Sequence, residues 1–312
     1  MRIVFLGSGA FAIPCLEALI EAGHEIGAVV TQPDRRRGRG NAVAPPPVKP
    51  VAEALKLPVV QPHRVREPDA EEALRRLAPD LQVVVAFGQI LPRSLIDIAP
   101  LGTVNVHASL LPKLRGAAPI QWAVANGEQE TGVTTMMIDE GLDTGPLLLQ
   151  RATPIGPDET AAGLEPRLAR LGAEVLLETV RGLDEGTLQP TPQDHDHATL
   201  APLLKKEDGR LDWSRPAREL HCHIRGFDPW PGTFTSLEGR TLKVLHARPI
   251  EDGDAGEAPP GTLLEVGAAG LVVACGGRSR LLVTEVQPES RRPMPAPAFA
   301  AGARLTAGQL LA

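Results

Sequence analysis

The run Leu81-Gln82-Val83-Val84-Val85-Ala86-Phe87 is apolar almost without a break. A strand with one wet face alternates polar and apolar residues, whereas a strand covered on both faces has no polar face to show. The run therefore predicts the central strand of a parallel sheet flanked by helices. Upstream, Arg2 to Leu6 reads as a strand, and Gly7-Ser8-Gly9-Ala10 turns into a helix running to about Ala22, with Pro14 in its first turn. Glu25 to Thr31 is a second strand, and Pro58 to Val60 a short one between helices at Val48–Leu55 and Asp69–Leu77. Downstream come a strand ending near His107, a helix at Pro119–Ala125 and strands at Thr131–Ile138 and Leu147–Gln150. Leu164, Leu168, Leu171, Val175 and Leu176 then fall at helical spacing within Thr160–Gly182. Alternating strands and helices predict an α/β, Rossmann-like, mainly parallel sheet with right-handed crossovers over residues 1–189.

The character changes after that. Residues 190–208 carry Pro190, Pro192 and Pro202 around Asp194-His195-Asp196-His197, and read as a solvated linker. A metal site there is the alternative, but the tract offers few further ligands to complete a shell. Residues 209–312 form a second module. A helix at Arg215–Arg225 precedes short β-rich runs at Gly232–Leu237, Thr241–Ala247, Gly261–Val266, Gly270–Ala274 and Arg280–Gln287, a pattern that predicts a small β-barrel. His221-Cys222-His223 lies in the helix, where adjacent positions point apart, so it makes a poor metal cluster.

Composition bounds the function. The chain has 312 residues, 43% hydrophobic and 22% charged, with ample material for a core. No apolar run approaches membrane-spanning length. Met1 to Gly7 is followed by a glycine turn rather than a cleavage site, so the expected location is the cytoplasm. The three cysteines, Cys15, Cys222 and Cys275, are scattered and imply neither a disulfide framework nor zinc. The net charge is −6, but positive charge clusters at Arg35, Arg36, Arg37 and Arg39 and again at Lys205 and Lys206. Phosphate contacts need such local clusters. Aromatics are 3% with no Tyr, so any nucleic acid would be held by its backbone and shape rather than by stacking.

Candidate chemistry lies on the strand Thr103-Val104-Asn105-Val106-His107. Alternation puts Asn105 and His107 on one face at a strand end, where α/β sheets build their sites. An amide there can donate to a carbonyl oxygen gaining charge, and an imidazole can move a proton near neutral pH. The loop Asp139-Glu140-Gly141-Leu142-Asp143-Thr144-Gly145 offers a carboxylate at Asp143. The structural alternative is a turn cap, a satisfied buried histidine and an ordinary turn. The Gly7–Ala10 turn resembles a dinucleotide site, yet the second strand ends in Thr31-Gln32-Pro33 and Asp34 is followed by arginines. That favours the fold without the dinucleotide.

The longer stretch Asn105-Val106-His107-Ala108-Ser109-Leu110-Leu111-Pro112-Lys113-Leu114-Arg115-Gly116-Ala117-Ala118-Pro119-Ile120 resembles the signature of folate-dependent formyltransferases. Its Gly-Ala-Ala-Pro-Ile continuation, together with Thr-Gln-Pro-Asp-Arg-x-x-Gly-Arg-Gly at residues 31–40, is similar to the branch acting on methionyl-initiator-tRNA. Arg225-Gly226-Phe227-Asp228-Pro229-Trp230-Pro231-Gly232 and Gly302-Ala303-Arg304-Leu305 resemble that branch's C-terminal OB-like domain. The resemblance implies a monomeric enzyme moving a formyl group from 10-formyltetrahydrofolate to the methionyl α-amine, with no metal. It implies Asn105 as oxyanion donor and His107 and Asp143 as the proton-handling pair, leaving open which takes the first proton. It implies a folate pocket along Phe87, Gly88, Ile90, Leu91, Ser109, Leu110, Leu111 and Pro112. The tRNA would meet Arg35, Arg36, Arg37 and above all Arg39 in an inserted loop, Gln32 to Pro47, with Lys205 and Lys206 as further contacts. Glycinamide ribonucleotide and nucleotide-sugar formyltransferases and a formyl-folate hydrolase domain share the Asn/His/Asp set, and a noncatalytic RNA-binding protein or an NAD-dependent dehydrogenase are the readings from other classes.

Overall fold

Strand β1 (Arg2–Gly7) lies between β2 (Glu25–Val30) and β6 (Leu81–Val85), all parallel, in a computed structural model that describes residues 1–37 and 42–312. The other strands of this first part are β3 (Arg35–Arg37), β4 (Ala42–Ala44), β5 (Val59–Val60), β7 (Thr103–His107), β8 (Glu130–Met137) and β9 (Leu147–Pro154). The main sheet runs β5-β2-β1-β6-β7-β8-β9, parallel as far as β7 and antiparallel at β8 and β9. Helices α1 (Ile13–Glu21), α2 (Val48–Ala54), α3 (Pro68–Arg76), α4 (Arg93–Ile96), α5 (Pro119–Ala125) and α6 (Ala161–Asp184) lie between or after these strands in the sequence.

The apolar run singled out from sequence is the middle strand of the seven, and every residue of β6 is buried. Its one polar member uses its donors inside, Gln82 Nε2 donating to the Leu95 carbonyl at 2.6 Å and the Thr103 hydroxyl at 2.9 Å, while its Oε1 is buried without a partner among the described residues. Successive strands are added to opposite sides of β1, so the order reverses between β1 and β6, and side chains beyond those strand ends face a natural crevice. Strand β9 extends to Pro154, past the predicted end at Gln150. It is an edge strand with alternating burial, where a terminal proline is tolerated and an apolar run is not required.

The chain divides into two units, one of residues 1–119, 130–154 and 165–202, the other of 120–129, 155–164 and 203–312. The second contains α7 (Ala217–Gly226), β10 (Thr233–Leu237), β11 (Arg240–Ile250), β12 (Leu263–Gly267), β13 (Gly270–Ala274), β14 (Arg280–Pro288), β15 (Met294–Pro295) and α8 (Ala296–Ala303). The antiparallel order is β10-β11-β14-β13-β12, with β15 on β14. The last residues reach both ends of that order, Leu311 bridging Leu237 at the end of β10 and Leu310 bridging Thr262 before β12. Trp213, Leu220, Ile224, Leu271 and Leu281 centre its core, and Trp213 donates from Nε1 to the Thr235 hydroxyl at 2.9 Å. Helix α8 was not anticipated. Ala-Pro-Ala-Phe-Ala-Ala-Gly-Ala has too little polar contrast to show a period, although its early proline suits a helix start.

The stretch Gln32 to Pro47, expected to lack regular structure, contains a two-stranded hairpin of β3 and β4. Three consecutive arginines give no alternation from which to read a strand. The hairpin's base is tied down by Asp34, which accepts from Lys49 at 2.9 Å and Gln61 at 2.7 Å. Those donors hold the Asp34 carboxyl below its ordinary pKa, Gln61 contributing most.

Candidate active site

Three features converge at the end of β7. Asn105 is half-buried and His107 is buried, two residues apart on one strand face. Strand β7 is paired on both sides, Asn105 facing Val84 of β6 and Met136 of β8, which fixes its position. The amide of Asn105 has no hydrogen-bond partner among the described residues.

The chain then folds back on His107. Ser109 donates its hydroxyl to the Lys113 carbonyl at 2.7 Å, and Thr134 on β8 donates to the Ser109 carbonyl at 2.6 Å. Gln150 on β9 donates to the Leu111 carbonyl at 2.7 Å, beside the cis Leu111–Pro112 bond. Leu114 takes φ +60°, and its carbonyl oxygen lies 2.9 Å from His107 Nε2. A carbonyl only accepts, so Nε2 carries the hydrogen, and in the neutral ring Nδ1 is the free basic nitrogen. Asp143 Oδ2 lies 3.7 Å from that Nδ1. The same oxygen accepts the Gly116 N–H at 2.8 Å. Gly116, at φ +126°, has room for no side chain, since a Cβ would stand 2.5 Å from the Ala201 carbonyl oxygen.

Asp143 sits in the left-handed region at φ +52°. Its loop is closed by Asp139, whose carboxylate accepts from the Gly141 N–H and the Thr144 hydroxyl, and by Gly145, where a Cβ would meet the Met137 carbonyl oxygen. Gln193 donates to the carbonyls of both Asp143 (2.8 Å) and Gly145 (2.7 Å). Buried Arg115 donates to Gln193 Oε1 from Nε and Nη2. The segment after Gln193 follows the 112–118 turn, with Arg115 N–H donating to the Thr199 carbonyl and Ala201 N–H to the Arg115 carbonyl. Sequence reading missed Gln193 and Thr199, because a polar residue in a proline-rich, charged tract carries no mark of burial. Arg115 stood inside the quoted signature without a role. The neighbouring Asp194, His195, Asp196 and His197 are all exposed, and no group of three metal-binding side chains comes together among the described residues.

The β6 exit lies beside the glycine turn. Ser8 and Gln32 both donate to the Phe87 carbonyl at 3.2 Å, and the Gly9 N–H donates to Ala86. Phe87 and Leu91 are buried, Gly88 is exposed at φ +77°, and Ile90 is 87% exposed. Leu142, in the Asp143 loop, is 61% exposed. Both loops spring from one core: Ile138, just before the Asp143 loop, packs against the cluster that holds Phe87 and Leu91. Ile90 and Leu142 are thus large apolar side chains standing in solvent on the loops that follow β6 and β8. Ser109 and Leu111 are buried within the β7 turn, with Leu110 and Pro112 half-buried.

The basic residues fall in two places. Arg35 and Arg36 are exposed on β3, and Arg37 closes that strand. Arg39 lies outside the described residues. Lys205 and Lys206 are exposed at a 3₁₀ turn of the second unit. None of the described helices is long and apolar enough to cross a membrane.

Residues 1–180 match the formyl transferase family, and residues 203–304 match the formyl transferase C-terminal domain. A methionyl-tRNA formyltransferase of Solibacter usitatus is 54% identical over 100% of this chain and 98% of its own. A methionyl-tRNA formyltransferase of Anaeromyxobacter dehalogenans (strain 2CP-1) is 57% identical, covering 93% of each chain. The solved structure of WlaRD, a sugar 3N-formyl transferase crystallised with dTDP and 5-N-formyl-THF, shares the fold at TM-score 0.68 and 16% identity, over 94% of this chain and 99% of that one.

Proposed function

The chain belongs to the formyl transferase family, and from that premise we propose that Asn105, His107 and Asp143 form its catalytic centre. The reaction is formyl transfer from 10-formyltetrahydrofolate to the α-amino group of methionyl-initiator-tRNA, giving the formylated tRNA that starts translation. The observation that carries this reading is full-length identity above half to relatives bearing that activity in their names. The formyl donor, when bound, supplies the electrophilic carbon that the amine attacks. The exposed Ile90 and Leu142 suit its flat ring, with Phe87, Gly88, Leu91 and Ser109 to Pro112 as the surrounding pocket.

The chain's own residues would act as follows. Asn105 donates an amide N–H to the oxygen that gains negative charge. His107 Nδ1, free because Nε2 is committed to Leu114, takes the proton that the amine sheds, and that proton goes to the donor's nitrogen as its bond to the formyl carbon breaks and tetrahydrofolate leaves. Asp143 stabilises the resulting imidazolium across 3.7 Å, and the Gly116 N–H keeps the carboxylate aimed at it. An α-amine has an ordinary pKa of about 7.7–8.0, so a base of imidazole strength suffices near neutrality. On this reading the first proton goes to His107 rather than Asp143.

Acceptor recognition falls to positive charge. Arg35, Arg36, Arg37 and Arg39 meet the acceptor end of the tRNA, and Lys205 and Lys206 add phosphate contacts. The catalytic domain spans residues 1–189, with 190–208 leading to the C-terminal domain, 209–312. The protein works as a cytoplasmic monomer. The test is formyl transfer to charged initiator tRNA, measured beside charged elongator tRNA and glycinamide ribonucleotide. Selective transfer to the initiator is expected. Preference for the small acceptor would overturn the choice of tRNA, and no transfer to any of them would overturn the enzyme reading.

A further inference from the structure

Gln193 belongs to a tract whose sequence shows only prolines and charge, yet it is 5% exposed and its side-chain amide links the Asp143 loop to Arg115. Its two amide hydrogens go to two carbonyls of the same loop, Asp143 at 2.8 Å and Gly145 at 2.7 Å. Its oxygen accepts twice from Arg115, at 3.2 Å from Nε and 2.7 Å from Nη2. A guanidinium only donates, so Arg115 dictates which end of the amide faces which way and forces Nε2 onto the loop carbonyls. Arg115 is itself held by the Thr199 carbonyl through its N–H, and by His195 Nδ1, 3.0 Å from Nη2.

The loop held in this way needs holding. Asp143 lies in the left-handed region at φ +52°, which aspartate enters more readily than most residues but less readily than glycine, so contacts from outside the loop help to hold it. That backbone conformation aims the carboxylate at His107 and at the Gly116 N–H. Relaxing it would swing Asp143 Oδ2 away from the imidazole without touching any group that meets substrate. Gly116 adjoins Arg115 in sequence, so both the donor that aims the carboxylate and the cation that orients Gln193 come from one turn.

We propose that Gln193, oriented by Arg115, is a positioning residue for the reaction: it clamps the Asp143 loop so that the carboxylate faces His107 Nδ1. This rests on the functional reading above, since it concerns the geometry of that catalytic pair. It also gives the segment after α6 a part in catalysis, as the strap that brings Gln193 under the loop.

The test uses the full chain in single-turnover and steady-state formyl transfer to charged initiator tRNA. Gln193→Glu keeps an acceptor for Arg115 and, when ionised, cannot donate to the two carbonyls. The expected result is a fall in kcat of about 10- to 100-fold, the usual consequence of misplacing a reacting group by about an ångström, with KM for both substrates within about twofold. In an Asp143→Asn background the same substitution should cost less than about threefold, because residues acting as one unit are not additive. Equal losses in the two backgrounds, a change confined to KM, or an undiminished kcat would each overturn the proposal. Should the buried glutamate prevent folding, judged by circular dichroism and thermal melting, Gln193→Ala is read against the same criteria. Wild-type protein that transfers no formyl group would overturn the functional reading itself. An active wild type with additive variants would overturn only the role of Gln193.

Discussion

Asp143→Asn isolates the charge of the carboxylate from its shape. The carboxamide oxygen still accepts the Gly116 N–H, so the 2.8 Å contact survives and the loop keeps its anchor. What disappears is the attraction between a carboxylate and an imidazolium 3.7 Å apart. Coulomb's law sets that attraction at about 1 kcal/mol in bulk water and about 4 kcal/mol at an effective dielectric of about 20. The side chains of His107 and Asp143 are 6% and 15% exposed, which puts the pair nearer the second value. Neutral His107 gains little from the charge, whereas protonated His107 gains it in full, so the loss falls on the transition state. At about 1.4 kcal/mol per decade, kcat should drop about 10²- to 10³-fold, with KM for the formyl donor nearly unchanged. The assay is single-turnover formylation of charged initiator tRNA by quench and separation of the formylated product. A variant that keeps kcat within threefold would show that the carboxylate's charge does not assist His107, and the proton assignment would fall with it.

Replacing Asn105 with Ala should lower kcat by about 10²- to 10³-fold, as removal of an oxyanion donor does, while tRNA binding measured by filter retention stays intact. Loss of binding and rate together would point to a folding role instead. Arg39→Ala should weaken use of tRNA far more than turnover of a small amine, and should reduce the slope of log affinity against log salt by about 1 if one phosphate contact is lost. Equal loss of both activities would make that arginine structural. In the C-terminal unit, burial lowers the pKa of His223 below its ordinary value, the nearby Arg215 adding to this and the Asp208 carbonyl opposing it. Between that lowered value and the ordinary one near 6.5, the unfolded chain binds the proton that the folded chain refuses, so stability falls as pH falls below about 7. Burial lowers His221 and His24 in the same sense. His223→Gln should therefore show a smaller drop in Tm between pH 7.5 and 5.5 than wild type, and an unchanged drop would exclude His223 as a source.

Sequence alone determined the fold class, because a strand buried on both faces must be apolar throughout and β6 is. It also marked the residues proposed for the chemistry: Asn105 and His107 share a face by strand alternation, and the residues around them carry the family's signature. Local periodicity also marked most helices and strands to within a few residues. What it could not determine are contacts between distant segments. That His107 spends Nε2 on Leu114, leaving Nδ1 toward Asp143, depends on a turn with Leu114 at φ +60°. That Gln193 lies beneath the Asp143 loop depends on the chain returning along residues 112–118 after a long helix. The hairpin of β3 and β4 and helix α8 were hidden for a related reason, since arginine runs and alanine-rich segments carry no polar–apolar contrast. Periodicity records which side of an element faces the core. Only tertiary structure decides which polar groups meet there, because each hydrogen bond depends on positions that segments far apart in the chain reach only once the whole domain has folded.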